Sequence, residues 1–209
     1  DSVKHYMKDV KRDMWVYSRN SMGEEKRTMS AYDSIQYYKK FLQAGMMTMD
    51  PFTGHIKAWV GGLDFKYFKY DHVKQGRRQP GSTFKPFVYT SAIDGPKDLS
   101  PCYMMRDEPF EIEVENAKGE KEMWRPGNAN GSFSMREMPI KRALAQSINS
   151  VTARLTNEVG ADTVMYYAKK MGIKSPLKAV ASIGLGSFDV NLFEMIGAYS
   201  AFVNEGMHV

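Results

Sequence analysis

Arg78-Gln79-Pro80-Gly81-Ser82-Thr83-Phe84-Lys85-Pro86-Phe87 are the most informative ten positions of the chain. Proline has no backbone N–H and is tolerated only in the first turn of a helix, so Pro86 predicts a helix that begins close to Ser82. Pro80-Gly81 predicts a sharp turn just before it. Serine and lysine three apart on a helix share one face. A lysine that gives up its proton can act as the base that activates a serine hydroxyl. A helix start at Ser82 also sets the hydroxyl at the positive end of the macrodipole, where a developing alkoxide is stabilised. The serine's own N–H can then contribute to an oxyanion hole.

Spacing alone does not establish this chemistry. Chance placement of 16 serines and 19 lysines among 209 residues gives about 1.5 Ser-x-x-Lys pairs, and two occur, the second being Ser175-Pro176-Leu177-Lys178. Ser175-Pro176 suits an N-cap followed by proline at the first helical position. Ser82 with Lys85 as a surface charge admits the same reading. Ser147-Ile148-Asn149 is a further candidate, with a hydroxyl able to relay protons and an amide able to hold a substrate amide through two hydrogen bonds. Ser18-Arg19-Asn20 has the same form, and polar residues between helical segments also serve as caps.

Upstream, Met46 to Met49 and Ile56 to Val60 flank Asp50-Pro51-Phe52-Thr53-Gly54, which predicts a hairpin and the start of a central sheet. Ser30-Ala31-Tyr32-Asp33 resembles a helix-capping start, with apolar positions Ala31, Ile35, Tyr38 and Leu42 at helical spacing and Gly45 able to close the helix. Residues 1–28 show no steady period, Asn20-Ser21-Met22-Gly23 reads as a turn, and the segment is expected to be a linker from a preceding domain. Downstream, Phe110, Ile112 and Val114 alternate with Glu111, Glu113 and Glu115. This predicts a second hairpin over 109–124, turning at Ala117-Lys118-Gly119, with its acids on a wet face. From Met135 the chain is expected to be mainly helical, with a helix over Ala161 to Met171, a loop at Ile183-Gly184-Leu185-Gly186 and a last helix over Val190 to Val203.

Composition narrows the classes. Apolar residues make up 43% and charged residues 25%, which suits a packed core and excludes global disorder. No run of eighteen apolar residues exists and no secretory signal is visible, and the chain is expected to be a piece of a longer protein. Cys102 is the single cysteine, and the four histidines do not stand at metal-ligand spacing, so neither a cofactor nor a metal is expected. Net charge is +5, with Lys66, Lys69, Lys74, Arg77, Arg78 and Lys85 gathered in 65–85 and seven acids in 107–122. The basic stretch, interleaved with Phe65, Tyr67, Phe68 and Tyr70, has the composition of a single-strand platform. No nucleic-acid motif accompanies it, so no nucleic-acid partner is expected.

A family resemblance joins these signals. Ser-x-x-Lys with a Ser-x-Asn element and Lys-Thr-Gly marks penicillin-binding proteins and class A β-lactamases. Residues 78–87 resemble the nucleophile segment of class A penicillin-binding proteins. Trp124-Arg125-Pro126-Gly127-Asn128 resembles the loop before their second motif, and Ala143-Leu144-Ala145-Gln146-Ser147-Ile148-Asn149-Ser150 the motif itself. Gly184-Leu185-Gly186-Ser187, then Glu194-Met195 and Ala198-Tyr199, resemble their later helix, and Asp50-Pro51 with Ala58-Trp59-Val60-Gly61-Gly62 resemble the first strands of their sheet. Ordered matches run from about residue 46 to the end.

The resemblance implies an α/β chain of α+β type, with an antiparallel sheet and an adjoining helical cluster. Residues 29–209 would be the N-terminal part of a transpeptidase domain. It implies a peptidoglycan D,D-transpeptidase in which Ser82 forms the acyl-enzyme, Lys85 is its base, Ser147 passes the proton to the leaving amine and Asn149 holds the peptide amide. Implied partners are peptidoglycan stem peptides, a lipid-linked precursor and β-lactam antibiotics. The parent protein would also carry a glycosyltransferase domain and a membrane anchor, and would sit on the periplasmic face of the bacterial inner membrane. One departure is plain: Lys-Thr/Ser-Gly is absent, the nearest string being Lys174-Ser175-Pro176. The third motif, with its strand, is therefore expected beyond Val209. The alternatives are a serine β-lactamase, a non-catalytic β-lactam sensor, and a structural or nucleic-acid-binding domain in which both serines merely cap helices.

Overall fold

The computed structural model describes residues 2–20, 23–115 and 119–209, so the turns expected at 20–23 and 117–119 lie partly outside the described residues. The segment without a steady period is structured: α1 (Ser2–Asp9) leads into β1 (Lys11–Ser18), which pairs antiparallel with β2 (Gly23–Ser30). The sequence carries no clear period there because the hairpin hides little. Val16 is fully buried while Trp15 remains 60% exposed. Polar cross-strand contacts supply much of the rest, with Asp13 accepting from Thr28 Oγ1 at 2.7 Å and pairing with Lys26 at 3.0 Å.

α2 (Ala31–Lys39) begins with the expected cap. Ser30 Oγ accepts from the Asp33 N–H at 3.1 Å and Asp33 Oδ2 accepts from the Ser30 N–H at 3.2 Å. The helix stops at Lys39 rather than near Gly45. Phe41 turns instead into an aromatic cluster with Tyr17, Tyr37, Tyr38 and Phe68, and Leu42 is left in solvent. β3 (Met46–Met49) and β4 (Ile56–Val60) form the expected hairpin. Asp50 Oδ1 holds its turn by accepting from the Phe52 and Thr53 N–H groups, each at 3.0 Å. The central sheet is present only as this pair, since the strands of the described residues make five separate two-stranded pairings.

β5 (Arg77–Arg78) is followed by a 3₁₀ turn over Gly81–Phe84 and by α3 (Lys85–Ile93). β6 (Met104–Arg106), β7 (Ile112–Glu115), β8 (Lys121–Trp124) and β9 (Glu137–Pro139) come next, with β7 pairing β8 as expected and β6 pairing β9. α4 (Ile140–Ala145), α5 (Asn149–Val159) and α6 (Ala161–Lys170) complete the helical cluster. The loop expected at 183–186 is largely a 3₁₀ turn, Ala181–Leu185, too short to carry a period. The last helix is shorter than expected: β10 (Val190–Asn191) pairs with β5, and α7 (Leu192–Ser200) starts only after Asn191 Oδ1 has accepted from the Glu194 N–H at 2.8 Å.

The core lies where α3, α5, α6 and the 181–185 turn meet. Phe84, Phe87, Val88, Val151, Leu155 and Ile183 are fully buried there. Burial of each such side chain contributes roughly 1.5–3 kcal/mol. Two glycines allow close approach: a Cβ on Gly184 would lie 1.9 Å from the side-chain Oγ1 of Thr156, and one on Gly186, whose φ is +68°, would lie 2.4 Å from the backbone carbonyl oxygen of Gly81. The second contact sets the 181–186 segment directly against the Ser82 turn, where the Gly81 N–H donates to Gly186 O at 3.3 Å.

Candidate active site

Ser82 sits on the 3₁₀ turn, one short turn before α3, and not on the helix itself. The cause is local. Thr83 bonds back to the Pro80 carbonyl through its N–H at 3.2 Å and its Oγ1 at 2.7 Å, so the first contacts are i→i+3. Phe84 anchors the turn from below, with ring centroids 4.8 Å from Phe87 and 4.6 Å from Phe188. Tyr199 of α7 donates its hydroxyl to the Thr83 carbonyl from the other side. Ser82 itself is exposed, and among the described residues no hydrogen bond engages its Oγ. The hydroxyl is held by its backbone and left open to solvent.

Lys85 is the opposite case. It is 1% exposed, and its Nζ donates to Ser147 O at 2.7 Å, Ser147 Oγ at 3.0 Å and Asn149 Oδ1 at 2.6 Å. These three acceptors match the three protons of an ammonium. Burial lowers its pKa from the usual lysine value to about 8. When the amine is neutral it has a lone pair to fill. Ser147 Oγ alone of its partners carries a proton to offer, so the Lys85–Ser147 contact can reverse direction without any heavy atom moving.

Ser147 is exposed and has a φ of +55°. It ends α4 in a Schellman arrangement: the Ile148 N–H bonds Ala143 O at 3.0 Å and the Ser147 N–H bonds Leu144 O at 2.9 Å. Glycine usually fills that place. The turn swings Ser147 and Asn149 toward Lys85 from one corner between two helices. Asn149 opens α5, with Oδ1 on Lys85 and Nδ2 on the Gly127 carbonyl at 2.9 Å. The structure thus brings Lys85, Ser147 and Asn149 into direct contact and places Ser82 on the turn preceding Lys85, in hydrogen bond with none of them. The decoys stay apart: Ser175 is buried with its N–H on Glu194, and Ser18 lies in the first hairpin.

Sequence reasoning misses Asp107, which falls among the acids assigned to a wet face. It is 2% exposed, and it accepts from Ser150 Oγ at 2.6 Å, the Ser134 N–H at 2.7 Å and Asn128 Nδ2 at 2.8 Å. Burial alone would raise its pKa, but these donors outweigh burial and hold it below the usual carboxylate range. The available signal is its place just before the Phe110–Glu115 alternation rather than within it. The basic stretch is likewise no single surface, since Lys85 is buried and Lys66 pairs with Glu24. Among the described residues no cluster of histidine, cysteine or acidic side chains could hold a metal, and no helix is long and apolar enough to cross a membrane.

A serine on a tight turn, a dehydrated lysine behind it and a Ser-x-Asn corner facing that lysine define a class, and comparison with known proteins agrees. The model of the penicillin-binding protein transpeptidase domain matches residues 44–209, and the chain belongs to that family. It is 35% identical over 169 residues to penicillin-binding protein 1A of Neisseria cinerea, covering 80% of this chain and 21% of the relative. It is 34% identical over 168 residues to penicillin-binding protein 2D of Bacillus subtilis, covering 80% of this chain and 24% of the relative. The chain therefore spans about a fifth to a quarter of the length of these curated relatives. The crystal structure of penicillin-binding protein 1A from Haemophilus influenzae shares its fold with a TM-score of 0.69 at 24% identity, over 90% of this chain and 26% of that one. The mixed α+β architecture, with small antiparallel pairings beside helices, is the one the family resemblance implied.

Proposed function

We propose that the chain carries the nucleophile half of a serine peptidoglycan D,D-transpeptidase. The observation that supports this most is Lys85, buried, with its pKa lowered to about 8 and in contact with Ser147 and Asn149. At that pKa about a tenth of Lys85 is a free base at neutral pH. Neutral Lys85 takes the proton of Ser82 as Oγ attacks the penultimate D-Ala carbonyl of a stem peptide. The C–N bond to the terminal D-Ala then breaks, and the leaving nitrogen takes the Ser147 Oγ proton, which Lys85 replaces. A serine ester remains. An amine of a neighbouring stem peptide attacks it, its proton returns through the same pair to Ser82 Oγ, and a new amide cross-links the strands. Asn149 has its amide spanned between Lys85 and Gly127, which aligns it for the substrate amide. A β-lactam ring opened by Ser82 would stop at the ester.

In this reading residues 1–28 connect to a preceding domain, 29–209 form the first part of the transpeptidase domain, and Lys-Thr/Ser-Gly lies beyond Val209. The parent protein would work on the periplasmic face of the inner membrane and carry a glycosyltransferase domain that uses a lipid-linked precursor. The test is intact-mass measurement after incubation with a fluorescent penicillin, on this chain and on one continued past Val209. A gain of one drug mass that disappears in Ser82→Ala supports the reading. Labelling that persists in Ser82→Ala, or no labelling of either folded protein, sinks it. Steady turnover of a chromogenic β-lactam would favour a β-lactamase instead.

A further inference from the structure

We propose that Asp107 and Asn128 are positioning residues, which together fix the corner from which Ser147 and Asn149 reach Lys85. The inference deepens the reading of that site and rests on it. Asn128 uses every polar atom of its amide. Its Oδ1 accepts from the backbone N–H groups of Asn149 at 3.0 Å and Ser150 at 3.1 Å, and its Nδ2 donates to Asp107 Oδ1 at 2.8 Å and to Ser132 O at 3.0 Å. The first turn of α5 is therefore capped from a distant loop. Its own N-cap position, Ile148, has no side chain able to do so.

Asp107 decides which way that amide faces. A carboxylate accepts only, so it draws Nδ2 toward itself and leaves Oδ1 for α5. Asp107 Oδ1 also receives the Ser150 hydroxyl at 2.6 Å, which ties the same turn of α5 a second time. Its own backbone is set by β6 and β9, whose ladder continues as the Asp107 N–H bonds Arg136 O at 3.0 Å and the Met135 N–H bonds Asp107 O at 2.8 Å. The path runs from a strand pair to a carboxylate, an amide, the end of a helix and finally the Asn149 side chain on Lys85. Asp107 and Asn128 touch neither Lys85 nor Ser82 among the described contacts, so their effect is through Asn149 and Ser150.

The pair can be inverted, and that supplies the test. Asn128→Asp alone keeps an acceptor for α5 but sets a second carboxylate oxygen against both Asp107 and the Ser132 carbonyl. In the double variant with Asp107→Asn, the amide nitrogen introduced at position 107 donates to both the carboxylate introduced at position 128 and Ser150 Oγ. The amide oxygen at position 107 still accepts from the Ser134 N–H. The readout is the titration midpoint of Lys85, followed by its ¹³Cε signal in lysine-labelled protein and assigned by its loss in Lys85→Arg. Burial is the sole cause of the lowered Lys85 value, with no charged neighbour contributing. Loosening the corner admits water and moves the midpoint up, and the carboxylate added in Asn128→Asp pushes it the same way, together by about one pH unit or more. The double variant keeps the net charge of the pair, so its reversal of the shift isolates the positioning part. It returns the midpoint part of the way, the Ser132 carbonyl remaining without its donor. Penicillin acylation should slow at least tenfold in the single variant and recover in the double.

A Lys85 midpoint that stays in place in a folded Asn128→Asp protein, even one that melts earlier, overturns the positioning role. So does a shift that the double variant fails to reverse while it folds. The titration needs no acylation. A wild type that takes no penicillin would sink the proposed reaction and leave the positioning role to be judged on the lysine signal alone.

Discussion

Ser147 holds a backbone conformation that glycine adopts with least cost, and it does so at the one place where its hydroxyl meets Lys85. A non-glycine residue there costs on the order of 1 kcal/mol. Ser147→Gly should therefore be more stable by about 0.5–1 kcal/mol in a denaturant titration than Ser147→Ala, which loses the same hydroxyl from Lys85 but keeps a Cβ at the left-handed position, while in both variants penicillin labelling slows at least tenfold. A glycine variant that is less stable than the alanine one and still fully reactive would contradict both parts. Lys85 gives a second opposition between stability and chemistry. Its folded pKa, about 8, lies below the unfolded value near 10.5, so between those limits the unfolded chain binds more protons and stability rises with pH. Below pH 8 both states are charged and the folded state bears the whole cost of the buried ammonium. Relative to Lys85→Met, the wild type should gain on the order of 3 kcal/mol between pH 8 and 10.5. Parallel melting curves across that range would show that Lys85 is not dehydrated. The same titration should appear in acylation, with the rate rising as pH approaches 8.

At the scale of elements, the Ser82 turn depends on its neighbour. Gly186→Ala meets both a left-handed φ of +68° and the Gly81 carbonyl, 2.4 Å from the new Cβ. It should cost about 1–3 kcal/mol and also slow labelling, because relief requires the turn bearing Ser82 to move. Ser30→Ala removes the α2 cap, far from the site, and should cost about 1 kcal/mol with the labelling rate unchanged. Thermal melts beside labelling rates for the two variants separate the effects. The same division explains what is legible in the sequence. Ser30, the Asp50 turn and the Phe110–Glu115 alternation are local devices, each readable within a few residues. Lys85, Ser147 and Asn149 are legible as motif residues, but not as a contact, because 62 positions separate the lysine from the serine it binds. Asp107 and the β5–β10 pairing are not legible. Their meaning comes from partners far along the chain, and a single acid or a two-residue strand leaves no pattern.

Over the whole molecule, burial is uneven. α3 and α5 carry much of the buried core, whereas β1–β2 bury only Val16, Ser18 and Ser30 and β7–β8 bury no residue. Hydrogen-exchange mass spectrometry should find α3 and α5 amides protected longest and both hairpins exchanging orders of magnitude sooner. Uniform exchange would mean that the hairpins share the core's cooperativity. The site lies at the edge of this buried part, and among the described residues Ser147 is the one serine with a left-handed backbone and Lys85 the one buried lysine. An engineer selecting only for a higher melting temperature would be drawn first to position 85, writing an apolar residue there, and then to glycine at 147, whose hydroxyl no longer has an ammonium to meet. The more heat-resistant product would be catalytically silent, so stability screens of this chain need a reactivity readout alongside them.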